Sequence, residues 1–218
     1  MTASPSPAEF ARQRENMVER QLRARGVDDR LVLAAMRRVR REHYVDPAFV
    51  RRSYDDSALP IAHGQTISQP YIVGYMLQAL RLCGGERVLE VGTGSGYAAA
   101  VLAEIAGRVF TIERQHELAA AAAARLRGDG YVNVTVRAGD GSRGWPDQAP
   151  FDAIVVAAGA AEVPPALPRQ LAVGGRLVIP VGPHPDDLRL LRMTRTDDTE
   201  FVSEQLVGVR FVPLVVDR

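Results

Sequence analysis

Glu90 and a glycine-rich loop are spaced so that together they could bind a ligand through both charge and backbone. Glu90 lies two residues before Gly92, which begins a G-x-G-x-G pattern completed by Gly94 and Gly96. A strand that ends in glycines and opens a helix lets a ligand approach the backbone closely, and the N–H groups at the helix start are free to bind it. Dinucleotide enzymes instead use G-x-G-x-x-G, but Tyr97 occupies the position of the last glycine. The pattern therefore predicts a strand–loop–helix ligand site of another kind.

Two further acids follow the next two predicted strands in chain order. Glu113 ends a strand predicted at 108–112, where a carboxylate can accept hydrogen bonds from both hydroxyls of a ribose. Asp140, beside Gly141, follows a third strand. Each acid alone has a simpler explanation, because acids favour helix starts and Asp-Gly is a common turn. Their order behind the glycine loop makes a shared site the better interpretation.

An acid followed by G-x-G-x-G resembles the first motif of Rossmann-type methyltransferases, which bind S-adenosylmethionine. The resemblance implies that Glu90 orients the cationic amino-acid end of this cofactor. It also implies that Asp140 faces the adenine amino group, with Gly141 leaving room for the ring. Arg114, next to Glu113, belongs to the same predicted site.

The elements around these residues predict an α/β fold. Short apolar strands alternate with helices from residue 87 onwards, which indicates a mostly parallel, doubly wound sheet of Rossmann-like type. The predicted core elements are strands 87–91, 108–112, 132–136, 152–157 and 176–181, with helices 97–106, 115–127 and 165–172. Residues 188–195, 201–209 and 211–216 are extended and helix-poor, so we expect antiparallel strands that close one edge.

The region before this core predicts helices followed by an irregular segment. Residues 1–7 are expected to be disordered, although Ser6 and Glu9 read as a capping box for a helix that runs to about Arg25. A second helix begins at Asp28 or Asp29, and a third spans 71–82. Residues 42–69 lack periodicity, and so long an irregular stretch indicates a functional segment.

We therefore predict one methyltransferase domain over residues 1–218. Within it, residues 8–69 provide the N-terminal helices and an active-site loop, 70–182 the cofactor-binding core, and 183–218 the antiparallel strands.

Composition excludes some classes of function. The formal net charge is +1, so no global charge favours a nucleic-acid or membrane partner. All basic residues are arginines, which excludes chemistry that needs lysine, such as a Schiff base. Cys83 is the single cysteine and fits a reducing compartment. With no signal peptide, no membrane span and no metal-ligand cluster evident, we expect a cytoplasmic monomer without a bound metal.

A second, more specific pattern indicates the substrate. Residues 59–71 contain Q-T-I-S-Q-P at 65–70, and R-F-V-P-L stands at 210–214. Together with the glycine loop, these stretches resemble the protein-L-isoaspartate O-methyltransferase family, and the resemblance extends from residue 17 to residue 214. The family repairs damaged proteins by methylating the free α-carboxylate of L-isoaspartyl residues, which leads through a succinimide to aspartate. Members often have glycine where Ala62 stands, and some have a longer C-terminal tail with cofactor contacts.

The resemblance also implies roles for the irregular segment. Gln65, Thr66 and Ile67 would contact the cofactor, with the segment from Thr66 to Ser68 as its cap, and Ser68 would be the active-site serine. A carboxylate has a pKa of about 4 and needs no general base at neutral pH, so Ser68 is best interpreted as a hydrogen-bond donor to the substrate. By position alone, Ser68 would instead be the N-cap of the following helix.

Two other functions are compatible with parts of the sequence. An RNA or small-molecule methyltransferase would use the arginines at 37–41 and 51–52 as a basic patch, although nearby acids favour an ordinary solvated face. A cofactor-binding module without catalysis would bind S-adenosylmethionine and show no turnover.

Overall fold

The computed structural model, which describes residues 5–216, is organised around a seven-stranded sheet. A two-stranded hairpin of β1 (Leu59–Pro60) and β2 (Thr66–Ile67) precedes it. The sheet strands are β3 (Arg87–Val91), β4 (Arg108–Glu113), β5 (Val134–Ala138), β6 (Phe151–Val156), β7 (Leu171–Val181), β8 (Leu188–Arg195) and β9 (Phe201–Val209). They lie in the order β5-β4-β3-β6-β7-β8-β9. The first five are parallel and the last two pair antiparallel, which confirms the predicted fold class.

Helices and apolar side chains cover both faces of the sheet. The α-helices are α1 (Pro7–Asn16), α2 (Arg30–Arg38), α3 (Pro70–Leu80), α4 (Tyr97–Ala103), α5 (His116–Gly128) and α6 (Ala166–Arg169). In β3, Val88 packs in one core cluster with residues of α1 to α5, whereas Leu89 and Val91 pack in a second cluster with Leu167 of α6. Burying each such side chain contributes about 1.5–3 kcal/mol. Because both faces are buried, the strand is apolar at successive positions and not only at alternate ones.

The first helical segment begins where the capping box predicts. The Ser6 hydroxyl accepts a hydrogen bond from the Glu9 N–H, and the Glu9 carboxylate accepts one from the Ser6 N–H. Ser6 and Pro7 are therefore part of the helix start. The predicted disorder is wrong for these two residues, because the capping box supplies hydrogen-bond partners to the N–H groups at the beginning of the helix. Residues 1–4 of that prediction lie outside the described residues. The helical path continues past α1 as a π-helical and then a 3-10 segment, and it ends at Gly26 with φ 88°.

The next two helices begin as predicted, but the second ends earlier. The Asp29 carboxylate caps α2 by accepting hydrogen bonds from the N–H groups of Leu31 and Val32. Helix α3 ends at Leu80, because its C-cap residue Arg81 adopts the left-handed conformation with φ 52°. The prediction that this helix extends to Leu82 and stops at the following glycines was therefore wrong by about a half turn.

The irregular segment between α2 and α3 contains 3-10 turns and the β1–β2 hairpin. The hairpin is short, with two paired positions in each strand. It places Ile61 and Thr66 against the loop after β3, where a Cβ atom on Gly94 would lie 3.6 Å from the Ile61 side chain. The length of this segment is thus explained by its packing over the carboxyl end of the sheet.

Two predictions for the C-terminal third need correction. Strand β7 begins at Leu171, before Gly174 and Gly175, because these glycines lie at an irregularity in the pairing with β6 and do not end a turn. Residues 211–216 do not form a third antiparallel strand. They make an isolated parallel bridge between Pro213 and Gly159, so this segment crosses the carboxyl end of β6.

None of the helices within residues 5–216 combines the length and apolar character that crossing a bilayer requires.

Candidate active site

A cavity of about 300 Å³ lies at the carboxyl ends of β3 and β4, beneath the β1–β2 hairpin. Ligands of open α/β sheets bind at this edge because the loops there leave free backbone groups. The cavity is lined by the loop after β3, the residues that end β4, the segment 65–69, and the tail 210–215. It therefore collects residues from distant parts of the chain.

The glycine loop adopts the backbone conformations that its glycines permit. Gly92, Gly94 and Gly96 have φ values of 95°, 52° and 91°, which side chains of L-residues rarely tolerate. Gly92 and Gly94 line the cavity. Gly96 lies behind the cavity wall, where a Cβ atom would be 3.4 Å from the Leu126 side chain. Gly96 thus lets α4 pack closely against α5, and its contact with the cofactor stays a prediction.

Glu90 is a buried acid in the wall of the cavity. Its residue is 1% exposed, and the Thr111 hydroxyl donates to its carboxyl at 2.6 Å. The Thr93 hydroxyl lies 2.6 Å from the Thr111 hydroxyl, so the three polar groups form a chain. Burial raises the pKa of Glu90 to about 8; the hydrogen bond from Thr111 lowers it and the charge of Glu113 raises it. At neutral pH the ligand-free site thus favours the neutral carboxyl, and a cation beside it would restore the carboxylate.

Replacing Glu90 with Gln is expected to stabilise the ligand-free protein at neutral and higher pH. Between about pH 4.5 and pH 8 the folded protein holds a proton on Glu90 that the unfolded chain has released, so the free energy of unfolding falls as pH rises across this window. Glutamine is neutral throughout and can accept the same bond from Thr111. Urea denaturation at pH 8 should give Glu90→Gln a free energy of unfolding a few kcal/mol higher, since one pKa unit corresponds to about 1.4 kcal/mol. Identical pH dependence of the two proteins would contradict the burial argument.

Glu113 is held at the end of β4 by backbone donors. The N–H of Gly94 donates to one carboxylate oxygen at 2.8 Å, and the N–H of Gln115 donates to the other at 3.0 Å. Each oxygen keeps a second acceptor position. Arg114, the next residue, lines the cavity and donates to the Val215 carbonyl at 3.3 Å, which ties the tail to this corner.

Asp140 and Gly141 differ in their relation to the cavity. Gly141 lines the cavity, and a Cβ atom there would lie 2.3 Å from a methyl group of Val91. Asp140 lies outside the lining of the cavity: its carboxylate accepts hydrogen bonds from the N–H and the hydroxyl of Ser142 at 2.9 and 2.7 Å. Asp140 therefore caps the turn that presents Gly141.

The segment 65–68 forms another part of the cavity wall. Gln65, Thr66, Ile67 and Ser68 all line the cavity. The N-cap of α3 is Gln69, so the alternative interpretation of Ser68 as that cap is wrong. Among the residues that the structure describes, the Ser68 hydroxyl has no hydrogen-bond partner. It remains available as a donor to a group in the cavity.

Several residues of the site escaped the sequence analysis. The tail was assigned to a strand, but residues 210–215 line the cavity. Two backbone hydrogen bonds to Gly159 hold this segment. The Gly159 N–H donates to the Val212 carbonyl at 2.8 Å, and the Leu214 N–H donates to the Gly159 carbonyl at 2.7 Å. The R-F-V-P-L pattern at 210–214 indicated the family, but it did not indicate that this segment contacts Gly159 or lines the cavity. Thr111 carried no signal, because a threonine inside a strand is ordinary.

The cavity fits S-adenosylmethionine in three respects. The volume is at the lower end of the range for small-ligand sites, roughly 300–1,000 Å³. The Glu113 carboxylate offers free acceptor positions, and the buried carboxyl of Glu90 is suited to a cationic group. Gly94 leaves a narrow cradle, since a Cβ atom there would be 3.6 Å from Ile61 and 4.0 Å from the Thr66 carbonyl.

The fold and this cavity define the class of protein as an S-adenosylmethionine-dependent methyltransferase of Rossmann-like fold. The family model for "Protein-L-isoaspartate(D-aspartate) O-methyltransferase" matches residues 12–218. The chain belongs to this family.

Curated relatives and solved structures agree with the assignment. A protein-L-isoaspartate O-methyltransferase 1 of Rhodopseudomonas palustris is 61% identical over 215 residues, which cover 99% of this chain and 88% of the relative. A Brucella anthropi protein-L-isoaspartate O-methyltransferase is 55% identical, with 96% of each chain covered.

Among solved structures, a protein-L-isoaspartate O-methyltransferase matches with a TM-score of 0.83 and 28% identity, over 92% of this chain and 65% of that one. A Plasmodium falciparum protein assigned to the same enzymes, solved with S-adenosyl-L-homocysteine, matches with a TM-score of 0.80 and 27% identity. That match covers 93% of this chain and 98% of the other. The chain thus has the family's reaction, methyl transfer from S-adenosylmethionine to isoaspartyl residues of damaged proteins and peptides.

Proposed function

We propose that Ser68 binds the α-carboxylate of the isoaspartyl substrate while the opposite wall of the cavity holds the cofactor. The single observation that supports this arrangement most directly is that Ser68 lines the cavity and its hydroxyl has no hydrogen-bond partner among the described residues. Its donor is therefore available to an incoming oxygen.

On the cofactor side, the proposal uses acidic side chains and the backbone of glycines. Glu113 accepts from the ribose hydroxyls, and Glu90 faces the cationic amino-acid end. Gly92 and Gly94 have no side chains, so the cofactor can approach their backbone closely. Gly141 leaves space for the adenine ring, and Asp140 caps the turn that begins at Gly141.

The hairpin side closes the cofactor in. Gln65, Thr66 and Ile67 form its cap, and Arg114 supports the tail segment that completes the wall. When bound, S-adenosylmethionine supplies an electrophilic methyl group. The chain excludes water from it and holds the substrate oxygen in line, and alignment of this kind contributes several kcal/mol to lowering the barrier.

No general base is required in this arrangement. The substrate carboxylate is already ionised at pH 7, since its usual pKa is about 4. Ser68 therefore acts as a donor that orients one carboxylate oxygen, and the other oxygen is left free to react. The backbone amide nitrogen of the substrate then attacks the methyl ester, methanol leaves, and the resulting succinimide hydrolyses to some aspartate without further help from the chain.

The proposal is tested with two peptides of one sequence, one with isoaspartate and one with aspartate, and radiolabelled S-adenosylmethionine. Base-labile label on the isoaspartyl peptide alone is the expected result. Label on neither peptide, with cofactor binding retained, would sink the repair function and leave small molecules or RNA as substrates.

Binding of S-adenosylmethionine at pH 7 is expected to release up to about one proton. The Glu90 carboxyl is mostly protonated in the free protein, because its pKa is raised to about 8, and an adjacent cation favours the ionised form. Affinity should accordingly increase as pH rises from about 6 towards 8. Titration calorimetry in Tris and in phosphate measures the release, because the two buffers differ in ionisation enthalpy.

The matched control for this measurement is Glu90→Gln, which has no proton to lose at this position. Its binding enthalpy should differ less between the two buffers than that of the wild type. Equal buffer dependence in both proteins would assign the proton to another group.

We also propose that the protein acts without a nucleic-acid partner. The arginines that could form a basic patch are mostly engaged with acids: Arg37 with Glu15 and Glu19, Arg38 with Glu104, Arg40 with Asp129, and Arg52 with Asp55. Such pairing reduces the positive potential that phosphates would meet. Stable RNA binding at moderate salt would contradict this.

A single domain, a monomer and a cytoplasmic, membrane-free location complete the proposal. The cavity draws residues from all three predicted parts, 8–69, 70–182 and 183–218, which supports one folding unit. The exposed large apolar residues described are distributed over separate segments, and Cys83 is an exposed free thiol, as a reducing compartment permits. One cooperative unfolding transition, a monomer mass in solution, and recovery in the soluble cell fraction are the expected results.

A further inference from the structure

Arg41 is a fully buried cation that the proposed reaction does not use. Its side chain is 0% exposed, and it forms no ion pair with a carboxylate among residues 5–216. Burial lowers its pKa. A buried charge without a counter-ion is destabilising unless its donors are well satisfied, so the contacts of this guanidinium decide what it does.

The guanidinium joins two separate parts of the active-site wall. Its Nη2 donates to the Ser68 carbonyl at 2.8 Å, and its Nε donates to the Ser53 carbonyl at 2.7 Å. The guanidinium carbon lies 4.7 Å from the centre of the Tyr97 ring. Ser68 and Tyr97 line the cavity, whereas Arg41 is not part of the lining. Arg41 therefore lies directly behind the wall.

The residues on either side of Ser68 are held by other contacts: Ile67 is buried and pairs in the short β1–β2 hairpin, and the Gln69 side chain donates to the Asp56 carbonyl at 3.1 Å. At Ser68 itself, the bond from Arg41 is the only hydrogen bond found among the described residues. A charge-assisted bond to the Ser68 carbonyl is stronger than a neutral one. It is thus well suited to hold the backbone that carries the hydroxyl.

We propose that Arg41 is a positioning residue for methyl transfer, which fixes the backbone of Ser68 against Tyr97 so that the Ser68 hydroxyl faces the substrate. The inference rests on the proposed role of Ser68. Tyr97 is the first residue of α4, so the guanidinium packs against a ring that this helix holds in place. The planar fork of arginine serves two carbonyls and a ring face at once, which a lysine ammonium cannot do.

The test compares Arg41→Lys and Arg41→Met with the wild type. We expect kcat for the isoaspartyl peptide to fall roughly tenfold or more in both, as for loss of a hydrogen bond to a charged group, with Arg41→Lys less affected. The Kd for S-adenosyl-L-homocysteine should stay within about threefold of the wild type, because the hydrogen bonds of Arg41 go to Ser53 and Ser68 and not to a residue proposed to bind the cofactor. If Arg41→Met does not fold, the lysine variant decides the result.

A double variant separates positioning from simple stability. Because Arg41 acts through Ser68, Arg41→Lys combined with Ser68→Ala should lose no more than about twofold in kcat beyond Ser68→Ala alone. The matched control is Arg195→Lys, since Arg195 also donates to backbone carbonyls, those of Leu171, Asp197 and Asp198, at a remote end of the sheet. It should lower stability without lowering kcat.

Three results would overturn the positioning role: an Arg41 effect on kcat no larger than that of Arg195→Lys, effects of Arg41→Lys and Ser68→Ala that multiply, or a parallel loss of S-adenosyl-L-homocysteine affinity. The proposed function fails separately, when the wild type leaves the isoaspartyl peptide unmethylated or when Ser68→Ala retains full kcat.

Discussion

Replacing Glu113 with Ala is expected to weaken S-adenosylmethionine binding by about 100-fold or more. The carboxylate is 6% exposed and accepts one backbone N–H on each oxygen, which holds it at the end of β4 with two acceptor positions free. Loss of two hydrogen bonds from ribose hydroxyls to an ionised acceptor corresponds to about 3 kcal/mol, or a factor of more than 100 in Kd. The variant also leaves the N–H of Gly94 without its acceptor, which loosens the glycine loop. Titration calorimetry measures the effect.

The matched control is Glu104→Ala. Glu104 is likewise a partly buried acid with hydrogen-bond partners, since it accepts from Tyr131 and pairs with Arg38, but it lies away from the cavity. It should change stability and leave Kd within about threefold. If Glu113→Ala binds the cofactor as tightly as this control, the proposed contact between Glu113 and the cofactor is wrong.

Replacing Ser68 with Ala is expected to lower kcat for the isoaspartyl peptide by about 10- to 100-fold, the range for a hydrogen bond to a charged group. Ser68 lines the cavity and its hydroxyl has no partner among the described residues, so removing the hydroxyl breaks no internal hydrogen bond. The stability of the protein and its affinity for S-adenosyl-L-homocysteine should therefore stay close to those of the wild type. Single-turnover methylation with saturating cofactor separates the chemical step from binding.

Ser68→Thr keeps a hydroxyl at the same position and should recover part of the lost kcat. Ser203→Ala, on the exposed strand β9, removes a hydroxyl far from the cavity and should have no effect. Equal kcat in Ser68→Ala and the wild type would show that substrate alignment does not depend on this donor.

Short-range patterns explain why so much of the fold could be predicted. The capping box at Ser6, the Asp29 cap and the glycine loop after β3 each depend on residues within a few positions of one another. Secondary-structure propensity and hydrophobic periodicity also depend on residues close together in sequence, so the alternation of strands and helices could be predicted as well. The errors occur where an element end is decided by packing, as at Arg81 and at the start of β7.

The candidate site was predicted in part for the same reason. Glu90, Glu113 and Gly141 each follow or end a strand of the parallel core, and the carboxyl ends of parallel strands meet at one edge. Their convergence therefore follows from the fold class. Gly96 and Asp140 fit the motif equally well in sequence, yet one packs against α5 and the other caps a turn.

The sequence by itself determined the fold class, the cofactor loop and the family, because these depend on local spacing and on motifs that are short and specific. Only the tertiary structure decided which residues share the cavity wall. The tail reaches Gly159 and Arg41 reaches Ser68 through contacts between residues far apart in the chain. No local pattern encodes such contacts, because the partners are brought together only when the whole sheet and its covering helices have packed.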